Sequence, residues 1–303
     1  METFTHDGLT FDVTDSGPDG GDVVVLLHGF PQDSTAWADV TPILNAAGLR
    51  TLAPDQRGYS PGATPSGRAA YSMQALVGDI VALIDASGAA KVHLVGHDWG
   101  GAVAWGLARA HPDRLKTLTV CSTPHPRAMA WAFTHGDQAR KSLYMLGFQV
   151  PWVAEQVVHR RLLGLYRSLG MPEDRAAEYA RRFATPQSLT GPLNWYRGMP
   201  ASSAMFSSAR KLLPGGAAPV PNAAVPHAAV PHAAAPKKPR ADVPTTYVWG
   251  SRDSALGRAA AEKTAEFVRG DYRFVELDEN HWLPEVKPQE VADAILERVH
   301  SVS

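Results

Sequence analysis

Leu94-Val-Gly96-His97-Asp98-Trp99-Gly100-Gly101 follows an apolar run and opens a stretch of helical character. Small residues two places before and after Asp98 permit a very tight strand-to-helix turn, with the strain borne by the residue at its tip. Asp98 takes that tip, at the carboxyl edge of a sheet and the amino end of a helix. Helix-terminal N–H groups and the helix dipole favour a negative charge there, so the carboxylate stays ionised at neutral pH. Read alone, the same octapeptide also fits an ordinary helix start, because Asp is a good N-cap.

The flanking pattern sets the fold class. Short apolar runs at 22–27, 49–53, 91–95 and 115–121 read as strands, and 71–87 and 102–110 carry helical spacing between them. Strand again alternates with helix over 245–249, 256–269, 272–277 and 288–300. Such alternation predicts an α/β chain with a mostly parallel sheet covered by helices on both faces. Residues 125–213 interrupt it with helical patterns and no strand, and read as an inserted helical cap. The expected division is core over 1–124, cap over 125–213, linker over 214–242 and the rest of the core over 243–303. The linker reading rests on composition: 8 of the 24 prolines fall in 214–244, within a repeat of the form Ala-Ala-Val-Pro-His. His227 and His232 of that repeat could bind a metal, but a plain spacer accounts for them better.

Composition removes several functions. With 29 basic and 30 acidic side chains the formal charge is -1, which offers a polyanion such as nucleic acid nothing to bind. No run approaches a membrane span. Residues 1–20 are acidic without Lys or Arg, the reverse of a signal peptide. One cysteine, Cys121, rules out an internal disulfide and a Cys-based metal cluster. A soluble cytoplasmic protein, monomer or homodimer, without metal or organic cofactor, is expected.

Two further signals fall at the same sheet edge. His28-Gly29-Phe30-Pro31 follows the first central strand, and its turn can aim the Phe30 N–H beside that of Trp99 as an oxyanion pair. Asp253 and His281 follow later strands, in the chain order nucleophile, acid, base. Ser122-Thr-Pro-His-Pro126 supplies no carboxylate after its own strand, so Asp253 is the acid. An Asp nucleophile narrows the reaction. Serine attacking a saturated carbon would leave an ether that water cannot remove, whereas aspartate leaves an ester that water can cleave. Epoxides or alkyl halides therefore fit better than esters, with His281 as base and Asp253 orienting it.

Together these motifs resemble the epoxide hydrolases of the α/β-hydrolase superfamily. The matching pieces are His28-Gly-Phe-Pro31, Asp55-Gln-Arg57-Gly58-Tyr59-Ser60, Gly96-His-Asp-Trp-Gly-Gly101, Ser122-Thr-Pro-His-Pro126 and Asn280-His-Trp282. Asn280 stands where the family usually has Gly before the base. The resemblance implies two cap tyrosines that hydrogen-bond the epoxide oxygen, and Tyr144 and Tyr196 take those positions. Tyrosine suits the task, since it stays protonated at pH 7 and can meet an emerging alkoxide with a proton. Substrate contacts are expected from His28, Pro31, Trp195 and Trp282, and Arg57 is expected to hold its loop. The implied partners are a small apolar epoxide and water. Haloalkane and haloacid dehalogenases share the Asp nucleophile, but one group usually places a halide-binding side chain where Phe30 stands and the other an Arg at Trp99. A non-catalytic protein holding an apolar ligand is the alternative outside enzymes. A Ser esterase fails for want of Ser in the elbow.

Overall fold

The computed structural model describes residues 1–199 and 242–302. Eight strands form one sheet in the order β1-β2-β4-β3-β5-β6-β7-β8. They are β1 (Thr3–His6), β2 (Leu9–Ser16), β3 (Val23–Leu27), β4 (Arg50–Pro54), β5 (Val92–His97), β6 (Leu115–Cys121), β7 (Thr245–Gly250) and β8 (Tyr272–Leu277). From β4 to β8 all pairings are parallel, and β2 runs antiparallel to both β1 and β4. The α/β reading therefore holds. The β1–β2 hairpin was not expected from the sequence, although Asp7-Gly8, both at positive φ, is a hairpin turn signal between alternating residues.

Two-residue alternation along β3 feeds two separate cores. Val23, Val25 and Leu27 pack on one face with Leu94, Val103 and Leu118. Val24 and Leu26 pack on the other with Leu44, Val95 and Ile295 of the last helix, Pro288–His300. A strand buried on both faces has no polar side to show, which is why β3 reads as an unbroken apolar run.

Helices α1 (Thr41–Ala46), α2 (Met73–Ala86) and α3 (Trp99–Ala110) connect the first strands. Ser72 caps α2 through its Oγ, which accepts from Ala75 N. Between β6 and β7 the described residues form α4 (Pro126–His135), α5 (Gln138–Lys141), α6 (Tyr144–Gly147), α7 (Val153–Ser168), α8 (Glu173–Arg182) and α9 (Thr190–Arg197). The expected cap end at 213, and the 214–242 linker up to 241 with His227 and His232, lie outside the described residues. No helix among them is long and apolar enough to cross a membrane.

Strand order reverses between β3 and β5, whose chain neighbours lie on opposite sides. In open α/β sheets that reversal leaves a crevice beyond the carboxyl ends, where ligands bind. The loop after β4 closes one flank of it. Arg57 is buried there, with Nε and Nη2 donating to Asp79 of α2 at 2.7 and 2.6 Å and Nη1 to Ala70 O at 3.0 Å. Its expected role of holding this loop is what the contacts describe.

Candidate active site

Asp98 sits between β5 and α3 with φ 48° and ψ -119°, a left-handed conformation that costs a non-glycine residue on the order of 1–3 kcal/mol. The turn survives because its neighbours lack side chains. A Cβ on Gly100 would lie 2.3 Å from the Leu27 carbonyl oxygen, and one on Gly29 would lie 2.4 Å from the Asp98 Cβ. Thr123 Oγ1 donates to the Asp98 carbonyl at 2.6 Å and Ala102 N at 3.1 Å, fixing the strained peptide.

The carboxylate points into the crevice. Phe30 N–H donates to its Oδ1 at 2.8 Å, and His281 Nε2 lies 3.6 Å from its Oδ2. On the far side of the ring, His281 Nδ1 meets Asp253 Oδ2 at 2.7 Å. Asp253 is in turn held by the N–H groups of Ala255 and Leu256, at 2.7 and 2.9 Å, both on Oδ1. The side chain of Asp253 is fully buried, that of His281 nearly so, and that of Asp98 is open to the crevice. Chain segments 155 and 28 residues apart thus converge, so the three residues singled out in order along the sequence meet in space.

Above them lie aromatic rings. Tyr196 of α9 is 3 % exposed and clasped edge-on by Trp99, Phe30 and Phe148, at 5.0, 5.1 and 4.9 Å between centroids. Tyr144, the first residue of α6, is 44 % exposed and its ring lies 6.4 Å from that of Tyr196. The other expected contacts each have partners within the protein. His28 is buried with Nε2 accepting from Gln56 N at 3.2 Å, and the Trp195 indole donates to Arg57 O at 2.7 Å. Trp282 is buried against His281, His97 and Tyr166. Pro31, joined to Phe30 by a cis peptide, accepts a hydrogen bond from Tyr166 at its carbonyl. His28, Trp195 and Trp282 are all buried, with Trp195 5.7 Å from Trp99 and Trp282 5.1 Å from His281 between ring centroids. Among the described residues no group of three His, Cys, Asp or Glu side chains could hold a metal ion.

Comparison with known proteins fits this geometry. The model of the alpha/beta hydrolase fold family matches residues 22–288. Epoxide hydrolase A of Mycobacterium tuberculosis is 31 % identical over 96 % of this chain and 94 % of its own. Human epoxide hydrolase 4 is 30 % identical over 93 % of this chain and 73 % of its own. The chain is an α/β hydrolase of the epoxide hydrolase family. Among solved structures, an epoxide hydrolase from hot-environment metagenomes superposes with a TM-score of 0.79 at 29 % identity, covering 98 % of this chain and 97 % of that one. The YfhM protein of Bacillus subtilis, an AB hydrolase superfamily member, is also 31 % identical, over 96 % of this chain and 94 % of its own.

The charges in this hydrolase are arranged around His281. Burial opposes its protonation, but Asp253 and then Asp98 outweigh burial and raise it to about 10. Burial likewise works against the Asp98 anion, yet His281, His97 and the Phe30 N–H hold its carboxyl below the ordinary range. Burial, aided by the Asp98 charge, pushes both tyrosine hydroxyls up: Tyr196 well above its usual 10, and Tyr144 above it too.

Four buried polar residues behind the site were not singled out in the sequence. The His281 carbonyl receives the Ser122 hydroxyl at 2.8 Å and faces His97 Nε2 at 2.9 Å. His97 Nδ1 faces Gln32 Oε1, and Gln32 Nε2 donates to Glu285. Gln32 borders the turn after β3, His97 lies in the elbow motif and Ser122 opens the 122–126 piece, without a sign of what they bond to; Glu285 carries no local signal.

Proposed function

We propose that the chain hydrolyses epoxides to vicinal diols through an ester on Asp98, with the helices between β6 and β7 serving as a cap. One observation carries this reading: an ionised carboxylate on a strained elbow, 3.6 Å from an imidazole bound to Asp253, beneath two tyrosines. Asp98 attacks a ring carbon as the C–O bond breaks, and the oxygen takes a proton from Tyr144 or Tyr196. A phenol kept protonated beside an anion is suited to that transfer.

Esterification cancels one of the two carboxylates that hold the His281 proton. His281 then releases it toward the tyrosinate and becomes the neutral base that takes a proton from water. Water adds to the Asp98 carboxyl carbon. The developing oxyanion has the Phe30 N–H in place, with the Trp99 N–H as the second donor of the proposal. Collapse expels the diol oxygen, which leaves with the proton of the transient Asp98 acid, and the starting charges return.

Displacement of halide by the same carboxylate is the second reading, favoured by Trp99 next to Asp98. It leaves the tyrosine pair without a task, and the Phe30 side chain has no proton to offer a halide. The test is diol formation from terminal and aryl epoxides beside 1-haloalkanes and a nitrophenyl ester. Wild type should give diol only, Asp98→Asn none. Halide release without diol would replace this reading with dehalogenation, and no turnover would leave a binding protein.

A further inference from the structure

Neutral imidazole carries one proton, on one nitrogen. Both nitrogens of His97 face oxygen acceptors at 2.9 Å: Nδ1 the Gln32 Oε1, and Nε2 the His281 carbonyl. The Gln32 amide cannot be turned to relieve this, because Gly29 N–H also donates to Oε1, at 3.0 Å, and Nε2 donates to Glu285. A neutral His97 would press a lone pair against an oxygen at one of the two contacts. An imidazolium satisfies both.

Glu285 presents the opposite pattern. Its Oε1 accepts from Gln32 Nε2 and from the Tyr179 hydroxyl of α8, while its buried Oε2 has no partner. The two donors on Oε1 favour the anion, since a proton there would displace one of them, whereas the partnerless Oε2 is a cost the anion carries. An anion fits. Between the two, the Gln32 amide turns its N–H to the carboxylate and its C=O to the imidazole.

We propose that Glu285 and His97 form a buried charge pair bridged by Gln32, in which Glu285 is the positioning residue that keeps His97 doubly protonated and so pins the backbone carbonyl of the base, His281. Burial opposes a charge at both ends and leaves His97 lowered to about 4 and Glu285 raised to about 7 even against the opposing hydrogen bonds; the two acceptors facing His97, which no neutral tautomer satisfies, are what assign the charge. Other ionisable groups acting on the pair come from every side. His281 disfavours the cation, whereas Asp98 and Asp253 support it. Tyr166 and Tyr179 of the cap and Cys121 of β6 border Glu285. The consequence for catalysis rests on the reading above, in which His281 activates water; the charge pair itself does not.

The test is ¹⁵N–¹H NMR of the full chain labelled in histidine, with His97 assigned by its loss in His97→Gln. At neutral pH wild-type His97 should show two ring N–H signals and imidazolium-type nitrogen shifts. Glu285→Gln should remove one signal, and Tyr179→Phe, which keeps the charge, should retain both. A single N–H in wild type overturns the proposal even if Glu285→Gln does not fold, as does a pair of signals indifferent to Glu285→Gln. In single-turnover kinetics with an aryl epoxide, Glu285→Gln should slow hydrolysis of the Asp98 ester about tenfold, the scale of one hydrogen bond to a charged group, and leave ester formation unchanged. An unchanged hydrolysis rate overturns the positioning role. Absence of any turnover in wild type, with the NMR result intact, sinks the hydrolase reading and not the charge pair.

Discussion

The Asp98 carboxylate and the His281 imidazole stand 3.6 Å apart, Oδ2 to Nε2, with the second ring nitrogen bound to Asp253. One imidazolium is thus shared by two carboxylates, and of the two only Asp98 changes charge in the proposed reaction. Asp98→Asn imitates the esterified state. The His281 pKa, about 10 in wild type, should fall by about one to three pH units in that variant, the usual effect of one adjacent charge. NMR titration of the ring measures it, and an unchanged value would disconnect the two residues.

The same proton couples to stability. His281 binds it more tightly in the folded chain, so the contribution is complete below about 6.5 and is lost as pH rises through about 10. The Tm of wild type should decline across that window more steeply than that of Asp98→Asn.

Removing either tyrosine hydroxyl should act on ring opening alone. Tyr196→Phe and Tyr144→Phe are each expected to slow ester formation by about 10²–10⁴, the range for a positioned proton donor, with ester hydrolysis unaffected. Stopped-flow single turnovers resolve the two steps. Equal loss in both would make the tyrosines packing residues.

Backbone crowding at the elbow separates two glycines. Gly100→Ala puts a methyl on the Leu27 carbonyl, rigid backbone at 2.3 Å, and should not yield folded protein. Gly29→Ala meets the Asp98 Cβ at 2.4 Å, which no side-chain rotation moves, so relief requires a shift of the Asp98 backbone. It should cost about 1–3 kcal/mol and reduce ester formation, as Asp98 is pushed off the Phe30 N–H. Urea unfolding beside the epoxide assay distinguishes the cases.

Asp79→Asn leaves the Arg57 guanidinium buried against a neutral partner. A loss of about 3–5 kcal/mol is expected by urea denaturation, the cost of stranding one half of a buried pair.

What was legible in the sequence is what local chain geometry encodes. The elbow, the turn after β3 and the loops after β7 and β8 are each written in a few contiguous residues, and parallel topology carries them to one edge. The hairpin of β1 and β2 escaped because Leu9–Ser16 alternates with Asp and Thr instead of running apolar. Glu285, Ser122 and Gln32 escaped for another reason. Their partners lie far along the chain, 253 residues from Gln32 to Glu285 and 159 from Ser122 to His281, and no spacing rule links such positions. His28, Trp195 and Trp282 show the converse: a motif position draws attention to a residue without naming the distant groups, Gln56 N, Arg57 O and Tyr166, that it meets.

The helices between β6 and β7 are tied to the rest of the fold at several points. α7 and α8 are anchored beside the turn after β3, through Tyr166 to Pro31, Tyr179 to Glu285 and Arg182 to Asp33 and Asp55. α9 is fastened by Trp195 to Arg57 O, and α5 by Gln138 to Ala255 O. Among the described residues α6 is held to α9: the Tyr144 hydroxyl bonds that of Tyr196, Gln149 Nε2 bridges Met145 O and Tyr196 O, and Arg197 Nε donates to Phe148 O at its end. The two tyrosines are therefore mechanically linked: Tyr196 is packed against Phe30 and Trp99, and Tyr144 is fastened to the helix that carries Tyr196. A molecule that pushes on Tyr144 also loads α9, so the spacing between the two tyrosines is held as a unit and the room for a larger guest has to come from elsewhere.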